Sequence, residues 1–347
     1  MTKFTSFCSV CLLIFTFSCL SMASQSTENW RPKVLITDKR IPESGIEILQ
    51  NKCEVIFCEN TSREEILSKS KGVDGILWAT HSPLNAEALD AAGPQLKALS
   101  TMSAGIDYVD VAEVKRRNIP LGYTPQVLDN AVADMAVGLM IAAARRYHEG
   151  RLKIENSQWT GGPQWMLGQD ITESVVGIVG FGNIGSKIAQ RLQGFEIGQL
   201  LYTARSEKPE AKKKYKAKFV TFENLIKKSD FVIIAVPLTN ETRGMFNSEV
   251  FKKMRPNSVL VNIARGEIVN TNDLVEALKT NEIFAAGLDV MDPEPLPADH
   301  PLMSLPNAII VPHLGSATLE TRSQMSTLAA HNILAGIAGE RMLAPVP

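Results

Sequence analysis

The chain is poor in cysteine, and its few cysteines are badly placed for a structural role. Of the five in its 347 residues, three (Cys8, Cys11 and Cys19) lie within the first 23 positions. The other two, Cys53 and Cys58, lie on either side of a short apolar run. That arrangement suits neither a disulfide framework nor a metal site. The body of the chain is therefore predicted to suit a reducing compartment, and no metal is expected.

The chain also lacks an excess charge of either sign. Its formal net charge is −1, with 21% charged and 45% hydrophobic residues. A charge so close to zero gives no reason to expect nucleic acid or an anionic membrane as partner. The composition is that of a globular protein with a sizeable core, long enough for two ordinary domains, and no internal repeat or low-complexity segment interrupts it.

A long hydrophobic run is missing as well. The apolar stretch from Phe7 to Leu20 follows Lys3 and precedes Ser21-Met-Ala23, a small-residue cleavage pattern. It is short for a transmembrane helix and typical of a secretory signal peptide. Alternatively, Met22 is the true start of a protein without a leader. In both cases residues 1–23 are set aside as a signal-like leader.

From Lys33 onward, short apolar runs rich in β-branched residues alternate with helical stretches. The predicted strands form two series, Val34–Thr37, Glu54–Phe57, Gly75–Trp78 and Leu99–Thr101, then Ser174–Gly180, Leu200–Thr203, Phe219–Val220, Phe231–Val236, Ser258–Ile263, Ala285–Val290 and Ala308–Val311. Such alternation predicts an α/β protein with two doubly wound parallel sheets. Between the series, Asn130–Tyr147 is predicted to be one apolar helix, buried between domains or subunits. A last helix, Glu320–Gly336, is expected to pack back on the first domain.

A glycine motif follows the first strand of the second series. Gly180, Gly182 and Gly185 form G-x-G-x-x-G around Phe181, Asn183 and Ile184, and a helical stretch follows. In this context the first glycine permits a tight turn and the second lets backbone approach a pyrophosphate. The third allows close helix–strand packing. The motif predicts a dinucleotide site at the helix N-terminus.

The next strand lacks the acid that an NAD site places on the ribose hydroxyls. At that position the chain has Arg205 and Ser206, with Lys208 nearby. A guanidinium can pair with a 2′-phosphate in a charge-assisted fork, and a hydroxyl can add a donor. The alternative is a solvent-exposed arginine on a loop. The missing acid and the added cation together favour NADP over NAD.

Three ionisable residues, Arg265, Glu294 and His313, each follow an apolar run of the second series. Ligands of open α/β sheets bind at the carboxyl ends of the strands, so these side chains are expected at one edge. Arg265 can grip a carboxylate, and His313 can protonate a developing alkoxide. Either Glu294 or Asp289 can orient the imidazole, and spacing alone leaves that choice open. The chemistry indicated is reduction of a 2-oxo acid by hydride.

Five ordered motifs resemble the D-isomer-specific 2-hydroxyacid dehydrogenase family over nearly the whole chain after Arg31. They are Gly177–Gly185, Pro237–Thr242, Met254–Gly266, Gly287–Leu296 and Pro312–Thr318. Within that family, Thr101–Asp107, Tyr202–Arg205 and Glu294–Pro301 are most similar to reductases of glyoxylate and hydroxypyruvate. The resemblance implies two Rossmann-like domains, with NADPH as cofactor and NAD as a second option. It also implies reduction of glyoxylate to glycolate and of hydroxypyruvate to D-glycerate.

The resemblance also implies the roles of individual residues. His313 becomes the acid/base, Glu294 its partner and Arg265 the substrate arginine. Substrate contacts are expected at Ala104, Gly105, Asp289 and Ser316. The nicotinamide half of the cofactor is expected to meet Pro237, Ile263, Asp289 and Gly315, in addition to the glycine-motif residues.

The implied organisation is a cofactor domain, residues 125–317, inserted into a discontinuous substrate domain, residues 31–124 and 318–347. Family members are dimers held by the segment around Asn130–Gly168, so a homodimer is expected. The family's setting is cytoplasmic, which conflicts with the signal-like leader. Two alternatives stay open: a nucleotide-sensing, corepressor-like binding protein, and a dehydrogenase of another 2-hydroxy acid.

Overall fold

The computed structural model describes residues 31–347, so the predicted leader lies outside the described residues. The first part of the chain forms a five-stranded sheet with helices between its strands. Its elements are β1 (Lys33–Ile36), α1 (Glu43–Gln50), β2 (Glu54–Phe57), α2 (Arg63–Lys69), β3 (Gly75–Trp78), α3 (Ala86–Ala92), β4 (Ala98–Thr101), α4 (Val111–Arg116) and β5 (Leu121–Gly122). The strand order is β2-β1-β3-β4-β5, and every neighbouring pair is parallel.

Two helices, α5 (Asp129–Ala144) and α6 (Tyr147–Glu155), lead to a seven-stranded parallel sheet. Its elements are β6 (Val175–Val179), α7 (Asn183–Leu192), β7 (Gln199–Thr203), α8 (Pro209–Tyr215), β8 (Lys218–Phe219), α9 (Phe222–Lys228), β9 (Phe231–Ile234), α10 (Ser248–Phe251), β10 (Val259–Asn262), α11 (Thr271–Lys279), β11 (Ala285–Leu288) and β12 (Ala308–Ile310), and α12 (Leu319–Ile337) ends the series. The strand order is β12-β11-β10-β9-β6-β7-β8. The predicted fold class, two doubly wound parallel sheets, is confirmed.

The central strands are buried along their whole length and are mostly apolar, because helices cover both faces of each sheet. All residues of β3, β4, β9, β10 and β11 are buried. Buried parallel strands have this character, whereas a half-exposed strand alternates. Several helices begin at a residue whose side chain caps the first turn, for example Ser62 before α2 and Asn85 before α3.

The last helix returns to the first sheet. Along α12, Ser326 meets the backbone of α1 so closely that a Cβ on Gly45 would lie 2.2 Å from its Oγ. The Asn332 side chain donates to the Tyr123 carbonyl at 3.1 Å and accepts from the Ala344 amide at 3.0 Å. The domain boundaries at 124/125 and 317/318 stay predictions.

The single helix expected over Asn130–Tyr147 is in fact two. Helix α5 ends at Ala144, and Arg146 adopts a left-handed conformation with φ +56° before α6 begins. The Arg146 guanidinium holds this corner by pairing with Glu149 and donating to the Leu167 carbonyl at 3.1 Å. Helix α5 packs mainly on α7, β10 and β11, so it is buried within the unit of the seven-stranded sheet.

The described residues also bear on membrane and metal binding. None of the helices in residues 31–347 combines the length and hydrophobicity needed to cross a bilayer. Over the same residues, no three His, Cys, Asp or Glu side chains converge as metal ligands would.

Candidate active site

A cleft of about 680 Å³ separates the two sheets and holds most of the residues singled out from the sequence. Those lining it are Ala104, Gly105, Gly182, Asn183, Ile184, Pro237, Ile263, Arg265, Asp289, Glu294, His313, Gly315 and Ser316. Gly180, Gly185, Arg205 and Ser206 do not line it. Residues that are far apart in sequence therefore meet at the carboxyl edge of the seven-stranded sheet, as strand-end placement predicts.

His313 and Glu294 form a pair in this cleft. The His313 Nδ1 lies 2.5 Å from Glu294 Oε1, which leaves Nε2 as the ring nitrogen available to a ligand. Burial raises the pKa of Glu294, but the hydrogen bond and the charge of His313, together with the charge of His81 and the Met291 amide, bring that pKa below its ordinary value. An ionised carboxylate fixed on one ring nitrogen sets the orientation and tautomer of an imidazole.

Asp289, the alternative partner, is engaged elsewhere. Its carboxylate accepts hydrogen bonds from the Leu314 amide at 2.6 Å and the Gly315 amide at 2.9 Å. Burial raises its pKa, while these two amides and His313 act in the opposite direction. The backbone of His313 is left-handed, with φ +54°, and its amide donates to the Asp289 carbonyl at 2.8 Å. Asp289 thus holds the turn that presents the imidazole, and Glu294 contacts the ring.

The Arg265 side chain reaches across the cleft and contacts residues that follow β4 of the five-stranded sheet. Its Nε donates to Asp107 Oδ1 at 2.9 Å and its Nη1 to the Ala264 carbonyl at 2.8 Å. Its Nη2 lies against Gly105, where a Cβ would be only 1.9 Å away. The turn before it is fixed by Asn262, whose side chain donates to the Arg265 carbonyl at 2.8 Å. The guanidinium keeps unused N–H donors beside the Ala104–Gly105 backbone, a geometry suited to a carboxylate.

The glycine motif has the local geometry that a pyrophosphate needs. Gly180 has φ +100°, and a Cβ on Gly185 would lie 2.2 Å from the Gly180 carbonyl oxygen. A Cβ on Gly182 would meet nothing within 4 Å, so open space lies next to that backbone. Helix α7 begins at Asn183 without a side-chain cap or an acid in its first turn. Its free amides and positive dipole end therefore fit the phosphates of a dinucleotide.

The predicted 2′-phosphate residues follow β7 on the surface. Arg205 and Ser206 are both exposed, and none of the residues from 31 to 347 hydrogen-bonds to the Arg205 guanidinium. The loop itself is ordered by Tyr202, whose hydroxyl accepts from the Lys208 amide at 2.7 Å. The cation is thus free to meet an anionic ligand.

Among the cleft residues that the sequence analysis did not single out, four carry polar side chains close to the site: Thr80, His81, Asp107 and Tyr108. Asp107 carries the ion pair with Arg265, and the His81 ring is stacked on His313 with centroids 5.4 Å apart. The sequence did contain a signal for two of them, because Thr80 and His81 lie two and three positions after Trp78, the last residue of β3. The carboxyl ends of the first series of strands thus contribute to the cleft, as those of the second series do.

Comparison with known proteins agrees with this geometry. Residues 137–315 match the family model described as D-isomer specific 2-hydroxyacid dehydrogenase, NAD binding domain. The chain is 43% identical to human glyoxylate reductase/hydroxypyruvate reductase over 316 residues, 89% of this chain and 96% of that one. It is 42% identical to glyoxylate reductase of Thermococcus onnurineus over 318 residues, 89% and 94% of the two chains.

A solved structure with a similar fold is the NADPH-dependent glyoxylate/hydroxypyruvate reductase of Sinorhizobium meliloti in complex with NADP and malonate. Its TM-score is 0.81 at 30% identity, covering 91% of this chain and 97% of that one. Both domains have Rossmann folds. The extent of the family match and the identity over nearly the whole chain show that this protein belongs to the D-isomer-specific 2-hydroxyacid dehydrogenase family of NAD(P)-binding oxidoreductases.

Proposed function

We propose that this protein reduces glyoxylate to glycolate and hydroxypyruvate to D-glycerate, with NADPH as reductant. The observation that carries the proposal is the convergence of Arg265, Glu294 and His313 on one cleft beside the glycine motif. The relatives named glyoxylate or hydroxypyruvate reductase support the same substrates.

In this proposal Arg265 binds the substrate carboxylate together with backbone at Ala104 and Gly105. The guanidinium is held in place by Asp107 and Ala264, so its remaining donors are already oriented before substrate arrives. A fixed cation beside the 2-oxo group also polarises the carbonyl and stabilises charge on its oxygen.

His313 is the proposed proton donor to the developing alkoxide. Its Nδ1 is committed to Glu294, so the proton leaves from Nε2. Glu294 stabilises the protonated imidazole before the transfer and holds the neutral ring in its productive tautomer afterwards. Asp289 and Ser316 complete the substrate side of the cleft, the former by fixing the His313 turn.

The dinucleotide would lie along the glycine motif, with its pyrophosphate on the α7 N-terminus. Pro237, Ile263, Asp289 and Gly315 would border its nicotinamide end, and Arg205 with Ser206 would meet a 2′-phosphate. When bound, the reduced nicotinamide supplies the hydride.

The NADPH preference is tested by Arg205→Ser, with Lys212→Ser on exposed α8 as the matched control. Loss of a charge-assisted fork should lower kcat/KM for NADPH by about tenfold to a hundredfold, since such contacts stabilise by about 1.5–3 kcal/mol. The value for NADH should change far less, and the control should alter neither. Equal efficiency of the unmodified enzyme with both cofactors would refute this part of the proposal.

We also propose that the enzyme is a homodimer joined through the segment that follows α5. Four large apolar side chains there are exposed in the single chain, Tyr147 at 61%, Ile154 at 54%, Trp159 at 70% and Leu167 at 55%. Exposed apolar patches of this kind mark interaction surfaces. Sedimentation equilibrium should give twice the chain mass, and a monomer at micromolar concentration would contradict the assignment. Cytoplasmic location and a cleaved leader stay predictions.

A further inference from the structure

One hydroxyl in the cleft is buried and unused. Thr80 Oγ1 is inaccessible to solvent and has no hydrogen-bond partner among the described residues, yet Thr80 lines the cleft. A buried hydroxyl without a partner costs free energy unless a ligand or water satisfies it. The roles assigned above to Arg265, Glu294 and His313 leave this group unexplained.

The neighbouring residue, His81, is fixed in place although its side chain remains accessible from the cleft. Its ring stacks on that of His313 with centroids 5.4 Å apart and an interplanar angle of 16°. It also meets Tyr108 edge-on at 5.3 Å, and the Tyr108 hydroxyl is tied to Ser103 at 2.7 Å. None of the residues from 31 to 347 forms a hydrogen bond with the imidazole nitrogens of His81.

The segment that carries these two residues is anchored on both sides. The Ala79 amide donates to Thr37 Oγ1 at 2.8 Å, and the Leu84 amide donates to the Tyr108 carbonyl at 3.0 Å. Trp78 Nε1 closes the turn by donating to the Ser82 carbonyl at 3.0 Å. The ring of His81 is thus held beside His313, the proposed proton donor, and Thr80 precedes it in the same anchored segment, an arrangement that suits a substrate subsite.

Building on the proposed function, we infer that Thr80 and His81 form a subsite for a hydroxyl on C3 of the 2-oxo acid. The enzyme then selects hydroxypyruvate over pyruvate, which has the same carbon skeleton without that hydroxyl. A hydroxyl can donate to one of these groups while it accepts from the other.

The charge of the subsite favours a neutral substituent over a second carboxylate. Burial lowers the pKa of His81, and the charges of His313 and Arg265 act in the same direction against those of Glu294 and Asp107, so the neutral form of the ring is favoured. A neutral imidazole offers one donor and one acceptor, and threonine offers the same. Neither would compensate the desolvation of an additional anion.

The test compares kcat/KM for hydroxypyruvate, pyruvate and glyoxylate in the full-length enzyme and in Thr80→Val, which keeps the shape and removes the hydroxyl. The ratio of hydroxypyruvate to pyruvate should fall about tenfold, the worth of one hydrogen bond of about 1.4 kcal/mol. Thr124→Val is the matched control, because Thr124 Oγ1 is equally buried and unpaired but Thr124 does not line the cleft. That control should leave the ratio unchanged.

His81→Phe provides a second readout, since it keeps a ring on His313 and removes both nitrogens. It should lower the same ratio in the same direction. The subsite is refuted if both variants keep the ratio within twofold, or if they reduce turnover of all three acids alike. An unmodified enzyme that reduces none of the three acids would instead refute the proposed function.

Discussion

Replacing Arg265 by lysine keeps the positive charge and removes the planar fork. The guanidinium already donates to Asp107 Oδ1 at 2.9 Å and to the Ala264 carbonyl at 2.8 Å, and its remaining N–H groups face the backbone of Gly105. A lysine ammonium has three donors on one atom and a different reach, so it cannot serve Asp107, Ala264 and a substrate carboxylate together.

We expect Arg265→Lys to lose about two charge-assisted hydrogen bonds to the substrate. At about 1.5–3 kcal/mol each, the loss is about 3–6 kcal/mol, or about 10²- to 10⁴-fold in kcat/KM for a 2-oxo acid. The loss in kcat/KM is measured by following the steady-state oxidation of NADPH. Arg243→Lys is the control, because Arg243 makes a comparable but exposed ion pair with Glu267 at 2.7 Å and lies outside the cleft. A lysine variant with more than a third of the original kcat/KM would refute the fork argument.

Three further sets of substitutions test contacts in and beside the cleft. Gly105→Ala places a Cβ 1.9 Å from the substrate arginine and should lower kcat/KM at least tenfold, whereas Gly194→Ala, which meets nothing within 4 Å, should leave it unchanged. Gly185→Ala should lower both the Tm and the NADPH affinity, because its Cβ would lie 2.2 Å from the Gly180 carbonyl oxygen, whereas Gly182→Ala should weaken NADPH binding alone. Calorimetry measures the Tm and fluorescence titration measures the NADPH affinity. Equal Tm values for the two variants would contradict this prediction. The histidine partner of Glu294 lowers that carboxyl's pKa, so the pair's stabilisation is present above the ordinary value of 4.5 and is lost as pH falls through the lowered value. The Tm of Glu294→Gln should accordingly be lower than that of the unmodified enzyme at pH 7, and the difference should shrink below pH 4.5. A difference in Tm that grows as the pH falls would contradict the predicted direction of the pH dependence.

The sequence predicted the two parallel sheets and the edge at which the site lies, because most of the strands are short apolar runs that helical stretches and turn residues separate. It also placed Arg265 and His313 correctly at strand ends. The choice between Glu294 and Asp289 could not be made from spacing, since both follow β11. The turn after β12 separates them. Its amides at Leu314 and Gly315 donate to the Asp289 carboxylate, so the Glu294 carboxylate is the one that contacts the His313 ring.

Two features could not be read from local patterns. The end of α5 carries no glycine or proline, and the break at Arg146 depends on its pairing with Glu149 and with the distant Leu167 carbonyl. Contacts across the cleft are likewise tertiary. The ion pair of Arg265 with Asp107 joins residues 158 positions apart, which no single-sequence pattern specifies.

The central claim is that His313 donates the proton in an NADPH-dependent reduction of small 2-oxo acids. Its most direct test is NADPH oxidation by the enzyme and by His313→Asn with hydroxypyruvate and glyoxylate, with NADPH affinity measured in parallel. We predict turnover of both acids by the enzyme and a loss of at least about a hundredfold in kcat in the variant, the usual worth of general acid catalysis, with NADPH affinity retained. An unmodified enzyme that reduces neither acid, or a variant that keeps its rate, would contradict the account.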